Sequence, residues 1–329
     1  MEKIGDLILT LNSDQWQPFN GESCHWWISK GLEPLVEAAE PARFFTSFAR
    51  NFSWNEFKRA CAWLRNHRPE RAFVFHAPWW VGLALLLAGV KHRVGRRSQW
   101  HSYLFFNFGI RQKRSQALMH ENEYNIELIR TYFDRLKIAT PAKGPSPLRM
   151  KAPSPSHSFL QSLGLSTQRY CVVHPGMAGS ALNWPVKNYA LLIEKLSYKV
   201  TVAITGGPFD HKIISELKAE LPSKTTICFL DGKLQLNELL SVLQNSLFLV
   251  APSTGVLHIG ASLGVPVYGI YSPRRVEHPR RWGPQGPKTQ VYVPEVDADL
   301  ESNPSVMFEI KPESIYRDLI SHLSEGAFQ

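Results

Sequence analysis

The sequence predicts an α/β protein made of two doubly wound, Rossmann-like domains. Three observations carry that reading. The chain is 329 residues long, which at roughly 150 residues per domain suggests two domains, each able to bury a core. From residue 170 onward, short continuous apolar runs alternate with amphipathic helical stretches, the pattern of a parallel sheet covered on both faces. Between residues 140 and 158 stand Pro141, Pro145, Pro147, Pro153 and Pro155, with Gly144 and several serines. Such a run holds neither a long helix nor a central strand. It reads as a linker, so domains of 1–148 and 149–329 are expected. With 44% apolar and 20% charged residues, the chain is neither disordered nor collagen-like.

At the N-terminus, Ile4, Leu7, Ile8 and Leu11 mark one face of a helix over 4–12. Asp6 sits in its first turn, where the helix dipole stabilises a carboxylate; it can serve as a cap or as a general base. A strand near Cys24–Ser29 and a helix over 54–66 follow. Ala72–Val90 carries no Asp, Glu, Lys or Arg over 19 residues, long enough to span a membrane. However, His76 and Pro78 divide it into strand-like Phe73-Val74-Phe75 and a helix-like run from Val81 to Leu87. A strand, a turn and a buried helix account for that division better than a span. A helix over 120–136 closes the first half. In the second half, strands are expected at Tyr170–Val173, Val200–Ile204, Thr226–Leu230, Leu247–Val250 and Val265–Ile270. The helices between them cover Tyr189–Leu196, Lys212–Leu221, Leu236–Leu243 and a run from about Thr254.

Ligands of such sheets bind beyond the carboxyl ends of the strands, where helix N-termini point. Two domains place the expected site in the cleft between them. The strongest signal is Ser253-Thr254-Gly255-Val256-Leu257-His258 after an apolar strand. Thr254 caps the next helix, Gly255 admits close approach to backbone N–H groups, and His258 lies one turn on, on the same face. Together they suit an anion; a capped helix with a satisfied histidine is the plain alternative. His174-Pro175-Gly176-Met177-Ala178-Gly179-Ser180 and Thr205-Gly206-Gly207-Pro208-Phe209-Asp210 also follow strands. Neither matches a P-loop or GxGxxG pattern, yet three Gly-containing turns on one sheet favour a nucleotide-type ligand. There Asp210 accepts ribose hydroxyls or caps its helix.

Lys and Arg number 37 against 28 Asp and Glu, a net charge of +9. Residues 1–150 hold 21 basic and 13 acidic side chains, leaving 16 and 15 for the remainder. The anionic partner therefore belongs to the first half. Within it, 91–114 carries seven basic residues and no acidic one, with Trp100, Tyr103, Phe105, Phe106 and Phe108 interleaved. A solvated basic face or single-stranded nucleic acid would use a similar mix; an anionic lipid-linked molecule at a membrane surface fits it well. Cys24, Cys61, Cys171 and Cys228 are too widely spaced for a CxxC motif and read as core thiols of a reducing compartment. With Glu2, Lys3 and Asp6 interrupting any apolar leader, a cytoplasmic location is expected.

The early IGDLILT, then HPGMAGSALNWP, TGGPFD and STGVLHIGASLGVPVYGIYSP, together with HENEYNIELI at 120–129, resemble glycosyltransferase family 9. That family contains the ADP-heptose:lipopolysaccharide heptosyltransferases. The resemblance implies a GT-B architecture, in which two Rossmann-like domains face each other across a cleft, with the C-terminal helix packing back on the first. It implies an inverting enzyme moving heptose, or a similar sugar, from a nucleotide diphosphate donor such as ADP-heptose to the lipopolysaccharide inner core. Asp6 would be the general base. Thr254, Gly255 and His258 would hold the donor diphosphate, with Ser180 adding a hydroxyl, Asp210 touching the ribose and Leu234 lying by the base. Arg96, Arg97, Arg111, Lys113 and Arg114 would meet an anionic glycolipid acceptor from a peripheral membrane position. No metal, cofactor or nucleic acid is called for. Three departures stand out: Leu182 replaces a lysine that many members carry, Ser253 replaces an acidic residue, and the strand that normally precedes Gly5-Asp6 is absent from the sequence. They keep a non-catalytic nucleotide-sugar-binding protein, or a transferase using another nucleotide sugar, as alternatives.

Overall fold

The computed structural model of the chain describes every residue except 1–2, 17–18, 20–22, 156, 178, 180, 223–226, 297–301 and 327–329. It divides into two compact units, Met1–Leu148 and Arg149–Gln329, the boundary falling inside the proline-rich stretch.

In the first unit the first described helix is α1 (Ile4–Leu11), with Leu7, Ile8, Leu9 and Leu11 buried. β1 (His25–Ser29), α2 (Glu33–Glu37), β2 (Ala39–Glu40) and β3 (Phe44–Phe48) follow. α3 (Trp54–His67) starts where the Ser53 hydroxyl accepts from the Glu56 N–H and stops at Arg68, whose φ of 45° is left-handed. Next come β4 (Arg71–Val74), α4 (Trp79–Leu87), β5 (His92–Arg96), α5 (Trp100–Phe105), β6 (Phe108–Ile110) and α6 (Glu121–Arg135). The 19-residue uncharged stretch thus breaks at Pro78, the N-cap of α4, because proline's fixed φ and missing N–H suit a helix start. No helix among the described residues is long and apolar enough to cross a membrane.

Five of the six strands of this unit form two separate parallel sheets, β1 beside β3 and β4–β5–β6 in that order. Side chains of β4 alternate between two cores. Ala72 and Val74 pack with Phe57, Leu64 and Trp80, whereas Phe73 packs with Phe19, Ile129 and Phe133.

The second unit contains β7 (Arg149–Met150), α7 (His157–Ser162), β8 (Tyr170–Val173), α8 (Val186–Ser197), β9 (Thr201–Ile204) and α9 (His211–Glu220). Then come β10 (Ile227–Phe229), α10 (Leu236–Gln244), β11 (Leu249–Pro252), α11 (Gly255–Ser262), β12 (Val267–Ile270), α12 (Pro279–Trp282), β13 (Thr289–Tyr292) and α13 (Pro312–Gly326). Thr226, included in the predicted third strand, lies outside the described residues. Six strands pair in parallel in the order β10–β9–β8–β11–β12–β13. β8 and β11 are buried along their whole length, which is why their sequences are apolar without alternation. The C-terminal helix α13 packs in its own unit, with Ile315 and Leu319 in the same core as Tyr189 and Ile193 of α8. The Trp184 indole N–H donates to the Ile310 carbonyl, 2.9 Å, tying that segment down.

Candidate functional site

All six strands of the second sheet run the same way, so the turns after β8, β9, β10, β11 and β12 collect along one edge. β8 and β11 are neighbours whose onward connections lead in opposite directions, a switch point that opens a crevice at the strand ends. Thr254 stands there as N-cap of α11, with extended φ and ψ of −132° and 166°. Its hydroxyl oxygen is buried and has no hydrogen-bond partner among the described residues. Next to it, the first N–H groups of α11 have no intrahelical acceptor, as at any helix start. Gly255 adds no side chain in front of them, and His258 is buried one turn along. The Thr254 hydroxyl and the first amides of α11 thus lie together at the start of one helix.

Asp210 behaves differently from an exposed ribose ligand. It is buried; its carboxylate accepts the Gly207 N–H at 2.7 Å, and a Cβ on Gly176 would overlap it. His174 shares a hydrogen bond with the Thr205 hydroxyl at 2.9 Å. Burial pushes the His174 pKa down to about 4, with the Asp210 carboxylate opposing the shift. His174, Gly176, Thr205, Gly207 and Asp210 thus form one buried joint that sets the shape of the turns after β8 and β9. Leu234 is half-buried in the turn before α10, at the outer end of the row of turns. Ser180 lies outside the described residues.

In the first unit, Asp6 is half-buried in the first turn of α1, its carboxylate accepting the Lys3 backbone N–H at 3.2 Å. Near it lies His76, in the turn between β4 and α4. Burial drives the His76 pKa down to about 4, against the pull of Asp6 and Glu121 and assisted by Arg114 and Arg96. Arg114, one of the basic residues expected to meet the acceptor, is buried instead. Its guanidinium donates to Glu121 and, at 3.1 Å, to the side-chain amide oxygen Oδ1 of Asn125. The Asn125 amide donates to the Thr10 hydroxyl (2.9 Å), which donates to the Asp6 carbonyl (2.6 Å). A buried polar chain therefore fixes the helix that carries Asp6. Arg97 is turned onto its own loop, donating to the Phe106 carbonyl at 3.0 Å. Arg96 is half-buried, whereas Arg111 and Lys113 are exposed, as are Trp100, Tyr103 and Leu104 of α5. No group of His, Cys, Asp and Glu among the described residues is arranged to hold a metal ion.

Residues 64–301 match the family model of glycosyltransferase family 9 (heptosyltransferase). The chain belongs to glycosyltransferase family 9. It is 30% identical over 237 residues to a candidate glycosyltransferase of Haemophilus influenzae, covering 70% of this chain and 67% of that one. It is 26% identical over 222 residues to the Escherichia coli lipopolysaccharide heptosyltransferase 2, covering 64% and 62%. Its fold is that of the E. coli ADP-heptose lipopolysaccharide heptosyltransferase II structure, with a TM-score of 0.81, 21% identity, and 99% and 98% of the two chains covered.

In this family 9 glycosyltransferase, Leu182 stands in the turn after β8. Its side chain packs on the core of the second unit, and its backbone N–H donates to the Glu277 carboxylate at 3.1 Å. Glu277 in turn pairs with Arg274 at 3.3 Å. A cation from the turn after β12 is thus tied to the loop that holds Leu182. Sequence reasoning passed over Arg274; the signal was Ser272-Pro273-Arg274-Arg275 directly after a strand.

Proposed function

We propose that this glycosyltransferase is an inverting heptosyltransferase that uses a nucleotide diphosphate sugar, ADP-heptose fitting best, with the lipopolysaccharide inner core as acceptor. The observation that carries the donor reading is the buried, unpartnered Thr254 hydroxyl beside the open amides of α11. A diphosphate supplies the acceptor oxygens these donors lack, and a helix N-terminus favours its charge. The resemblance to heptosyltransferases by family, sequence and fold supports the sugar.

In this scheme Asp6 takes the proton of the attacking acceptor hydroxyl. The new C–O bond forms at the anomeric carbon as the bond to the diphosphate oxygen breaks, with inversion. Negative charge grows on the departing diphosphate, where Thr254 and the α11 amides stabilise it more in the transition state than before it. His258 packs behind them, and Arg274 supplies the positive charge that Leu182 does not. Asp210 acts through the joint it makes, holding the ribose side of the site in shape. The first unit receives the acceptor: Arg96, Arg111 and Lys113 attract its anionic groups, and exposed Trp100, Tyr103 and Leu104 suit a membrane surface where a glycolipid resides.

The test is a panel of nucleotide sugars with deacylated inner-core acceptor. ADP-heptose should turn over, and Asp6→Asn should lower kcat by about 100- to 10,000-fold, the usual span for general-base loss, while ADP binding stays unchanged. If ADP binds but no donor is consumed, the transfer reading fails; if another sugar is strongly preferred, the donor assignment fails.

A further inference from the structure

Four aromatic rings gather at the turns after β3 and β4 of the first unit, and the proposed chemistry uses none of them. Phe52 stacks on Trp79, with centroids 5.5 Å apart and 26° between the planes. It stands edge-on to Trp54, at 5.3 Å and 73°. Buried Phe57 lies behind Phe52 and Trp54, at 6.2 and 6.0 Å. Trp54 is nevertheless 67% exposed, Trp79 49% and Phe52 39%. Three large rings that already pack on one another thus still present their outer faces to water, and such a patch marks a contact surface.

The segments that carry the rings are braced. The Ser53 hydroxyl accepts the Glu56 N–H at 3.2 Å and caps α3, and the Ala49 N–H donates to the Glu56 carboxylate at 3.1 Å. The Trp80 indole N–H points at the Arg50 carbonyl, 3.5 Å away. That contact and the Phe52–Trp79 stack tie the turn after β3 to the turn after β4. The second of these turns also carries His76, three residues before Trp79, and the Asp6 carboxylate acts on His76. The aromatic cluster therefore sits beside the proposed base, where an attacking hydroxyl must arrive.

Phe52 with Trp79 offers one plane and Trp54 another at a steep angle, a corner rather than a smooth apolar bulge. Aromatic faces are electronegative and attract the polarised C–H face of a sugar ring. The sugar's hydroxyls find partners at the rim, in the indole N–H groups and in exposed Asn51 and Asn55. Charge points to an anionic glycan. The Glu56 carboxylate is taken up by Lys30 at 3.0 Å and Arg59 at 2.6 Å, while exposed Arg50 and Lys58 flank the rings in the same segment. Lys58 lies one helical turn from Trp54, on the same face. We infer that Phe52, Trp54 and Trp79 form a sugar-stacking subsite that grips a pyranose unit of an anionic oligosaccharide acceptor, next to the unit whose hydroxyl reacts. The inference rests on the reading of the chain as a transferase to a glycan acceptor, and adds to it the residues that select the acceptor by its sugar face. The stacked unit does not itself react, so its binding is shared by ground and transition states and acts on KM more than on kcat.

The experiment titrates deacylated inner-core oligosaccharide into the protein by calorimetry, with transfer kinetics read on the same samples. Trp54→Leu and Trp79→Leu keep an apolar side chain but no ring face. Each should weaken oligosaccharide binding about tenfold, the size of one aromatic contact, and raise the acceptor KM to match, while ADP affinity and Tm stay level. Trp79→Phe, which restores a ring, should bind within about threefold of the original. Leu variants that bind the oligosaccharide as tightly as the original would overturn the inference. So would a loss seen only with the intact glycolipid in vesicles of phosphatidylethanolamine and phosphatidylglycerol, because the rings would then meet lipid. Binding is read without a donor, so the two readings fail separately. An oligosaccharide that binds through the rings but never receives a sugar sinks the transfer reading and leaves the subsite standing.

Discussion

Stability of the second unit should fall with acid through one histidine. His174 is buried, its ring bonded to Thr205, and its pKa lies near 4 instead of the ordinary 6.5. The folded-state value is the lower one, so the unfolded chain binds more protons between pH 6.5 and 4, and stability rises with pH across that window. The full contribution is present above pH 6.5 and is lost as the pH drops toward 4. With those two values, His174 costs about 2 kcal/mol at pH 5 and about 3 kcal/mol at pH 4, relative to neutral pH. His174→Asn keeps a polar partner for the Thr205 hydroxyl and removes the titration. Urea unfolding of both proteins at pH 7 and pH 5 gives a double difference in which His76 and the carboxylates cancel. The variant, less stable at neutral pH, should lose about 2 kcal/mol less on acidification. Equal losses in the two proteins would refute the reasoning, because the imidazole would then be taking up its proton inside the fold at no cost.

Other outcomes follow from the same contacts. Gly176→Ala drives a methyl group into the Asp210 carboxylate and should cost about 1–3 kcal/mol with weaker ADP binding by calorimetry. Gly207→Ala, whose Cβ would sit 3.5 Å from Asp210, should do much less. Arg114→Met takes the guanidinium away from buried Glu121, which keeps His76 3.5 Å away, and should cost about 3–5 kcal/mol in thermal unfolding, most of it recovered in Arg114→Met/Glu121→Met. Thr254→Val should weaken ADP binding roughly tenfold, as loss of one hydrogen bond to a charged group does, while Tm stays level or rises. A drop in Tm with unchanged affinity would make that hydroxyl a structural group.

Much of the second unit was legible because its signals are local. Tyr170–Val173 and Leu249–Pro252 are apolar without alternation because both their faces are covered, and the intervening helices show a 3.6-residue period. Pro78 marked the break that turns an apparent span into β4 and α4. The first unit was harder to read. β5, His-Arg-Val-Gly-Arg, is mostly polar, and α5 and β6 are too short to establish a period.

By itself, then, the sequence determined the α/β class, the parallel character of the second sheet, the run of glycine-bearing turns and the basic, tryptophan-rich first half. The tertiary structure decided which way the charged groups face. Arg114 points inward to Glu121, Asp210 braces two loops, and Arg274 is tied through Glu277 to Leu182, 95 residues earlier than that glutamate. Periodicity and composition are set by neighbours within a few residues, whereas an ion pair between distant residues depends on the order in which far-apart strands lie side by side. That order exists only once the chain has folded.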